Sequence, residues 1–510
     1  MFAHLLSVMI FLPIVAGLVL LFAPVGRTTA RVVGFGVSLA VLVLSIDVYA
    51  GFMATGKLEF VEYIPWVPSL GIAYHLGVDG ISLFILMASA VLLPLVYVLF
   101  GTREKGYYAN LLMVEGAMIG AVCAADMVLF YVFWEIMLLP VFFMLGLYGG
   151  PNRLPATLKI TLYTIAGSLL MLASLAYLAV QYHTLTGEWS FSIEKMGLLN
   201  LSGQAAAVAL FGFMIAFAIK IPLFPFHTWL PDAYTEAPTA TTFVLSAIMA
   251  KIGVYGVIRL VMPSFEIEFA RYAILFTYAG VIGMMYCGLA AIGQKDYKRM
   301  LAFSSASHMG VIAIGVFSMN VQALTGTIYQ IVAHATSTGV LFLFAGILEE
   351  RTRTRTIGDL GGLAAKAPLF ALYFAIAMLA SVGLPGTSGF IGEFLIILGA
   401  LKFNVWVGVL TGTTLIIGVC YMLWMFQRVF FEKSKAASEQ FKDLTVVEGL
   451  AFVPVILLIL VMGIYPHPFL RKIEPSAAQH FAASTPAVVQ VAQTSVVSPA
   501  LSAELSTEKN

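Results

Sequence analysis

The chain has 510 residues, of which 61% are hydrophobic and only 10% are charged. Soluble globular domains carry about 25% charged residues, so this composition excludes that class and indicates an integral membrane protein. The net charge of +1 comes without a long basic run, so nucleic acid is not expected as a partner. The three cysteines lie far apart in apolar stretches and no nucleotide-binding glycine motif occurs, so no cofactor or metal is expected in this chain.

Fourteen stretches of the sequence are long and apolar enough to cross a bilayer, which requires about 20 largely apolar residues. The first stretch, residues 5–22, has no basic segment before it and no small-residue cleavage site, so we expect a membrane helix rather than a signal peptide. The sequence therefore predicts an all-α integral membrane protein of about fourteen helices. The predicted helices are centred near residues 13, 41, 88, 117, 138, 171, 218, 251, 282, 310, 335, 384, 417 and 457.

The distribution of basic residues supports this count. With the N-terminus outside, 17 of the 27 Lys and Arg residues fall in loops on the cytoplasmic side and seven on the opposite side. The remaining three, Lys220, Lys251 and Arg259, lie within predicted helices. The segment 232–239 is an exception, because it is assigned to the cytoplasm and carries only acids.

The predicted helices group into two consecutive blocks of five. An odd number of helices forces the second block to insert upside down relative to the first, so the blocks are expected to be inverted repeats. The predicted organisation is three N-terminal helices in 1–108, a first repeat in 109–262, a second in 272–430, a last helix in 449–470 and a disordered tail in 471–510.

The fourth helix of each block, predicted helices 7 and 12, contains helix-breaking residues. KIPLFPFHTWLPDAYTEAP (220–238) carries Pro222, Pro225 and Pro231 before its terminal proline, and SVGLPGTSGFIGEF (381–394) carries one proline and four glycines. Interrupted helices at this depth are tolerated where the freed backbone faces protein or a wet cavity, and matched breaks indicate an ion path. An ordinary proline kink is the alternative, and the pairing of two breaks in equivalent helices favours the ion path.

Four charged residues lie in mid-membrane positions: Glu135, Lys220, Lys251 and Glu393. Each costs roughly 2.5–3.5 kcal/mol on insertion scales, so pairing or hydration must offset the cost. A Glu135–Lys220 pair would let a change in separation alter how firmly the lysine holds its proton. A purely structural ion pair is the alternative.

Histidines add a second set of candidates. His308 and His334 lie in the middle of adjacent predicted helices, and histidine titrates nearest to neutral pH, as a proton relay requires. Packing is the alternative for either one alone. His227 follows the break in helix 7 and is a further candidate, connecting the lysine to bulk water. Glu115 is predicted to lie nearer a helix end, in an uptake path or a subunit contact, and Asp79 and Asp126 are assigned structural roles.

Together with GVDGISL (77–83) and VFWEIMLLP (132–140), the two broken-helix motifs occur in order and in the expected helices. The sequence resembles the antiporter-like membrane subunits shared by respiratory complex I and Mrp sodium/proton antiporters. The likeness runs from the first predicted helix to the last. Glu393 favours the M-type branch of bacterial complex I, because other members usually carry lysine at this position.

The resemblance implies that Glu135, Lys220, Lys251 and Glu393 are the residues essential for proton translocation and that His308 and His334 connect them. It implies a subunit of an NADH:quinone oxidoreductase in the bacterial inner membrane, with both termini on the periplasmic side. NADH, FMN, iron–sulfur clusters and quinone would bind to partner subunits, and L-type and N-type subunits would be neighbours. An Mrp-type antiporter subunit, a membrane subunit of a hydrogenase-like complex and a scaffold are the alternatives.

Overall fold

The structure is a computed structural model that describes residues 4–101, 103–199 and 201–482. It is 79% helical. Within these ranges, 11 helices are long and apolar enough to cross a membrane. The prediction of a multi-pass helical membrane protein is therefore confirmed.

The N-terminal part contains four helices and a two-stranded hairpin. In chain order the elements are α1 (Leu5–Phe22), α2 (Arg27–Gly51), β1 (Glu59–Val67), β2 (Ile72–Val78), α3 (Ser82–Leu99) and α4 (Lys105–Cys123). The strands pair antiparallel, with Tyr63 opposite His75. The hairpin was not predicted, and it makes the all-α assignment incomplete.

The hairpin caps the first membrane helix. The Glu62 carboxylate accepts hydrogen bonds from the Leu6 N–H at 2.8 Å and the Ser7 N–H at 3.3 Å. These N–H groups belong to the first turn of α1, where no carbonyl within the helix is available to them. We call the side of the bundle that carries this contact the hairpin end.

Nine helices follow up to residue 264, several of them short. They are α5 (Met127–Ile136), α6 (Leu138–Tyr148), α7 (Arg153–Thr186), α8 (Ile193–Met196), α9 (Gln204–Lys220), α10 (Trp229–Glu236), α11 (Thr239–Val244), α12 (Ala250–Gly256) and α13 (Met262–Ser264). Two π turns, Leu245–Met249 and Val257–Val261, join α11, α12 and α13 into one irregular helix.

The remaining nine helices include the most deeply buried ones. They are α14 (Glu266–Ile292), α15 (Tyr297–Phe317), α16 (Val321–Thr352), α17 (Leu363–Lys366), α18 (Pro368–Ser381), α19 (Ser388–Phe403), α20 (Val405–Phe426), α21 (Val446–Ile464) and α22 (His467–Ala482). The most apolar windows of α15 and α16 are completely buried, whereas those of α20 and α21 are one-third buried. The two helices that carry the predicted histidines therefore form the centre of the bundle.

Both predicted helix breaks are present. The helix α9 stops at Lys220 and α10 starts at Trp229, with a short 3₁₀ turn, Phe226–Thr228, between them. The helix α18 stops at Ser381 and α19 starts at Ser388. Gly383 has φ +72° in the second break, a conformation that glycine adopts without steric cost.

The acids of segment 232–239, the exception to the predicted distribution of basic residues, form ion pairs with basic side chains of neighbouring segments. Asp232 lies 2.8 Å from the Lys159 ammonium and 3.1 Å from the Arg299 guanidinium. Glu236 lies 3.8 Å from Arg355. Lys159 lies near the start of α7, Arg299 in the first turn of α15, and Arg355 in the loop after α16. Since the sequence assigns all three bases to the cytoplasmic side, these acids mark the end of the bundle where the basic segments meet. We call it the basic end.

The prediction of a disordered tail from residue 471 is wrong for residues 471–482, which belong to α22. This helix packs Ile473 and Ala477 into the core, and the Ser476 hydroxyl oxygen accepts the Gly80 N–H at 2.9 Å. The Lys472 ammonium donates to the Phe52 carbonyl at 2.7 Å. Small residues on the buried face left no apolar periodicity in the sequence. Residues 483–510 lie outside the described residues.

A glycine lets α12 pack directly against the end of α9. A methyl group on Gly253 would lie 3.0 Å from the Lys220 Cβ and 3.0 Å from the Ile221 side chain. Gly253→Val should therefore overpack this contact, at a cost of roughly 1–3 kcal/mol. The measurement is thermal unfolding of the detergent-solubilised chain, followed with a thiol-reactive dye that reports exposure of the buried Cys123 and Cys287.

Gly412→Val is the matched control, because nothing lies within 4 Å of a Cβ at that position. Equal melting temperatures for the two variants would contradict the assigned contact.

A buried ion pair joins α3 to the irregular helix at the hairpin end. Asp79 Oδ2 lies 2.6 Å from the Arg259 guanidinium. Burial raises the pKa of Asp79, but the Arg259 charge and hydrogen bonds from Ser82 outweigh it, so the pKa lies below its ordinary value. A carboxyl whose pKa is depressed by folding stabilises the protein fully above its unfolded-state pKa of about 3.9 and progressively less as pH falls below it.

Asp79→Asn should therefore lower the free energy of unfolding at pH 7 by about 3–5 kcal/mol, because Arg259 loses its partner. The difference from the wild type should shrink as the pH falls from about 4 toward the lower pKa of the folded state. Melting temperatures of both proteins at pH 7 and at acidic pH test this. A difference that is independent of pH would contradict the assigned role of Asp79.

Candidate functional site

Lys251 and His334 form the first contact of the candidate site. Lys251 is completely buried on α12, between the two π turns, and its Nζ lies 2.8 Å from His334 Nδ1 on α16. The ammonium also donates to the Ser246 carbonyl, which lies in the first π turn. Single π turns in α-helices are frequent at functional sites, because they change the hydrogen-bond register of the backbone. Here the turn supplies a carbonyl partner for a lysine side chain that is fully buried in the protein.

The two histidines continue the chain of contacts. The rings of His334 and His308 lie on the adjacent helices α16 and α15, with centroids 5.8 Å apart. His308 Nδ1 lies 2.9 Å from Oε1 of Glu393. The Nε2 atoms of both histidines are buried and have no hydrogen-bond partner among the described residues. Each ring therefore keeps one nitrogen free to donate or accept a hydrogen bond.

Glu393 ends this chain on α19, one and a half turns after the second helix break. It is 1% exposed, and its Oε1 also accepts a hydrogen bond from Nε2 of Gln330 at 3.0 Å. Its Oε2 is buried without a hydrogen-bond partner in the described part of the chain. The predicted residues Lys251, His334, His308 and Glu393 are thus brought together into one continuous row, which we call the relay row.

Glu135 and Lys220 form a separate pair next to the relay row. Lys220 is 3% exposed at the end of α9, and its Nζ lies 4.9 Å from the ring centre of Trp134. Within the described structure Lys220 and Glu135 have no N–O contact short enough for an ion pair, and Oε1 of Glu135 is buried there without a hydrogen-bond partner. The lysine is therefore held over the face of an aromatic ring rather than by the carboxylate, a cation–π contact worth about 2 kcal/mol when desolvated.

The relay row and the Glu135–Lys220 pair are coupled by packing. The Lys220 Cβ faces Gly253, two residues beyond Lys251 on α12. A displacement of either helix end changes the environment of both lysines.

His227 is not part of either group. It lies in the 3₁₀ turn of the first break, where its ring packs against Phe224 and Tyr286 at centroid distances of 5.7 and 5.1 Å. Its role as a relay residue stays a prediction.

Glu115 was predicted to lie near a helix end, and this prediction was wrong. Glu115 lies in the middle of α4, is completely buried, and accepts a hydrogen bond of 2.5 Å from the Ser38 hydroxyl of α2. The predicted centre of this helix, residue 117, already indicated mid-membrane depth. Asp126 caps the first turn of α5 and Asp79 pairs with Arg259, in agreement with the structural roles assigned to them.

Gln330, which contacts Glu393 directly, was not predicted from the sequence. An uncharged side chain among several Ser and Thr residues of the same helix carries no signal of its own in one sequence. Its separation from His334 by four residues, one helical turn, was the available indication that both face the same neighbour.

Residues 124–418 match the family model described as NADH:quinone oxidoreductase/Mrp antiporter, TM. The chain is 36% identical over 492 residues to NADH-quinone oxidoreductase subunit M of Rhodobacter capsulatus, covering 93% of this chain and 96% of that protein. It is also 36% identical over 513 residues to subunit M of Mycobacterium tuberculosis H37Rv, covering 92% and 93% of the two chains.

Solved structures show the same fold. A chain of respiratory complex I from Thermus thermophilus with bound NADH superimposes with a TM-score of 0.86 at 34% identity, covering 93% of this chain and 98% of that one. A chain of the Mrp complex from Dietzia sp. DQ12-45-1b superimposes with a TM-score of 0.84 at 21% identity, covering 96% and 99%. The chain therefore belongs to the NADH:quinone oxidoreductase/Mrp antiporter family of membrane proteins.

Proposed function

We propose that this chain is the M-type subunit of a bacterial NADH:quinone oxidoreductase and translocates protons within its membrane arm. The relatives that match almost its whole length bear this name, and a chain of a solved complex I is 34% identical. The observation that carries the proposal is the relay row, in which four buried titratable groups lie in succession from Lys251 to Glu393. Buried ionisable residues in membrane segments mark ion paths.

In the proposed mechanism, quinone reduction in partner subunits changes the distance between Glu135 and Lys220. At an effective dielectric constant of 20, two unit charges interact by about 4 kcal/mol at 4 Å and by about 2 kcal/mol at 8 Å. A movement of a few ångströms therefore changes the stability of a charged lysine by about the free energy of one transmembrane proton step, 2.3 kcal/mol per 100 mV.

The proton then passes through the relay row. Lys251 donates to His334, the histidines exchange the proton through their free nitrogens and water, and Glu393 releases it on the periplasmic side. Trp134 contributes a cation–π contact that holds Lys220 as long as Glu135 lies beyond ion-pair distance. Because each of these transfers moves a proton and no electron, the proposed mechanism requires no redox centre in this chain.

The proposed topology has fourteen membrane crossings, both termini on the periplasmic side, and two inverted five-helix repeats in 109–262 and 272–430. It is supported by the placement of the predicted centres, each of which lies in a helix or, for residue 384, at the break between α18 and α19. The shared basic end supports it as well, because Lys159 and Arg299 beside Asp232 and Arg355 beside Glu236 come from three segments assigned to one side.

The proposed partners are the other membrane-arm subunits, with L-type and N-type antiporter-like chains as neighbours in the bacterial inner membrane. NADH, FMN, iron–sulfur clusters and quinone are assigned to partner subunits. An Mrp-type antiporter is the second candidate, because the fold of an Mrp chain matches over 96% of this one. Mass spectrometry of the purified complex separates the candidates, since flavin and iron–sulfur subunits accompany only complex I, and NiFe subunits would indicate a hydrogenase-like complex.

The proton-translocating role predicts that Lys220→Met and Glu393→Gln abolish pumping while the complex still assembles. Both changes keep the side-chain volume and remove a proton-binding group, so NADH-driven proton uptake into inverted vesicles, measured by dye quenching, should fall by about tenfold or more, which corresponds to at least 1.4 kcal/mol.

Lys402→Met is the control, because Lys402 is an exposed lysine at the end of α19, the helix that carries Glu393. Wild-type pumping by Lys220→Met or Glu393→Gln, at normal levels of assembled complex, would show that these residues do not carry the proton.

A further inference from the structure

Gln330 contacts the carboxylate at the end of the relay row. Its side chain is 3% exposed on α16, and Nε2 donates to Oε1 of Glu393 at 3.0 Å. The same oxygen lies 2.9 Å from His308 Nδ1. A carboxylate oxygen has two lone pairs in the plane of the group, so two partners occupy Oε1 fully.

The other oxygen of Glu393 faces the second helix break. Oε2 has no hydrogen-bond partner among the described residues, and a Cβ built on Gly383 would lie 2.9 Å from it. Gly383 therefore keeps open the space in front of Oε2. The next residues of the break, 384–386, are exposed on the surface of the chain. Oε2 thus points toward the side of the bundle where the backbone is not helical.

Close packing of α16 on α19 fixes the amide of Gln330. A Cβ on Gly392 would lie 2.4 Å from Oε1 of Gln330 and 2.8 Å from its Cα. A Cβ on Gly326, one turn earlier on α16, would lie 2.8 Å from the Ile396 nitrogen. The two glycines let the helix backbones approach, and the approach leaves the amide little room to turn away from Glu393.

We propose that Gln330 is a positioning residue for proton release: with His308 it holds Oε1 of Glu393, so that Oε2 is the oxygen that exchanges its proton at the Gly383 break. This inference rests on the proposed proton-translocating function. In the release step, Oε2 first takes up a proton, by way of water, from the Nε2–H of the protonated His308, which returns to its neutral form with Nδ1–H. The Oε2–H bond then breaks and the proton passes to water at the break. The negative charge left on the carboxylate is stabilised by the N–H donors of Gln330 and His308 at Oε1.

The groups that surround Glu393 define what else titrates there. His308 faces it from α15 and Tyr421 from α20. The helix α16 contributes the uncharged Gln330, and His334 lies one turn further along. No second carboxylate takes part in these contacts, so Glu393 is the one carboxylate that loses a donor when Gln330 is replaced, and His308 stays on the same oxygen.

The test compares Gln330→Met, which keeps the length of the side chain and removes the donor, with Gln330→His, which keeps a ring N–H donor. The purified complex is reconstituted in vesicles, and protons pumped per NADH oxidised are measured across pH. We expect the half-maximal pH of Gln330→Met to move upward by about 1–2 units, because the carboxylate loses one charge-assisted hydrogen bond. Gln330→His should lie closer to the wild type.

Thr325→Val is the matched control, a buried polar residue five positions earlier on α16 that contacts no group of the relay row. A residue that only fills space would give the opposite order, with Gln330→Met near the wild type and Gln330→His impaired. That order, or an unshifted pH profile in Gln330→Met, overturns the inference. Infrared difference spectra of the carboxyl band provide an independent readout of Glu393 in the same samples.

If Gln330→Met does not assemble, Gly383→Ala decides. The added methyl group would lie against Oε2 while Gln330 stays intact. Gly386→Ala introduces a comparable backbone strain at φ +92° but meets nothing within 4 Å, so pumping per NADH should fall in Gly383→Ala below the level of Gly386→Ala. Equal pumping by the two variants overturns the inference. Failure of the proposed function is distinguishable from failure of this inference. Wild-type pumping by Glu393→Gln would contradict the proposed function. A wild-type pH profile of Gln330→Met, together with an inactive Glu393→Gln, would contradict only the positioning role of Gln330.

Discussion

Desolvation of ionisable groups is the constraint on which the rest of this structure depends. A charge taken out of water costs several kcal/mol unless charged or hydrogen-bonding partners offset it. Lys251 and Glu393 are both at most 1% exposed, and neither contacts the other. The two histidines between them supply the partners, so α15 and α16 must lie at the centre of the bundle, and the apolar helices α20 and α21 take the periphery.

Irregular backbone provides the other partners. The π turn at Leu245–Met249 presents the Ser246 carbonyl to Lys251, and the break before α19 places Gly383 against the free oxygen of Glu393. In a regular helix each of these backbone positions would be closed by an i to i+4 hydrogen bond or filled by a side chain. The irregularities therefore occur where the buried charges need room or an acceptor. Glycine and proline build the break before α19, whereas the π turn, LSAIM, contains neither.

Much of this site could be predicted from the sequence, because a lysine, a histidine or a glutamate within an apolar run has few neutral explanations. The contacts of Lys251, His308, His334 and Glu393 follow that logic. Gln330 could not be predicted in this way, since a neutral amide costs less to bury than a charge and does not stand out in an apolar run. The hairpin was not predicted for a different reason. Its strand Glu59–Val67 contains Pro65, and it is stabilised by the contact through which Glu62 caps α1. The helix α22 is stabilised by contacts 396 residues apart in sequence, which no local pattern records.

The relation between the two groups of charges explains how they can act together without touching. Lys251 belongs to the first predicted five-helix block, and Glu393 and both histidines belong to the second, so the relay row crosses between blocks. Lys220 lies next to the helix that carries Lys251 through the packing of its Cβ against Gly253. Glu135 and Lys220 make no ion-pair contact in the described structure, so switching requires an approach rather than the rupture of an existing pair. An approach of a few ångströms changes a Coulomb energy by about 2 kcal/mol and leaves the helix framework intact. In the proposed mechanism, a change in field would therefore be enough to bias the proton, and the packing at Gly253 would transmit a displacement of α9 to the helix that carries Lys251.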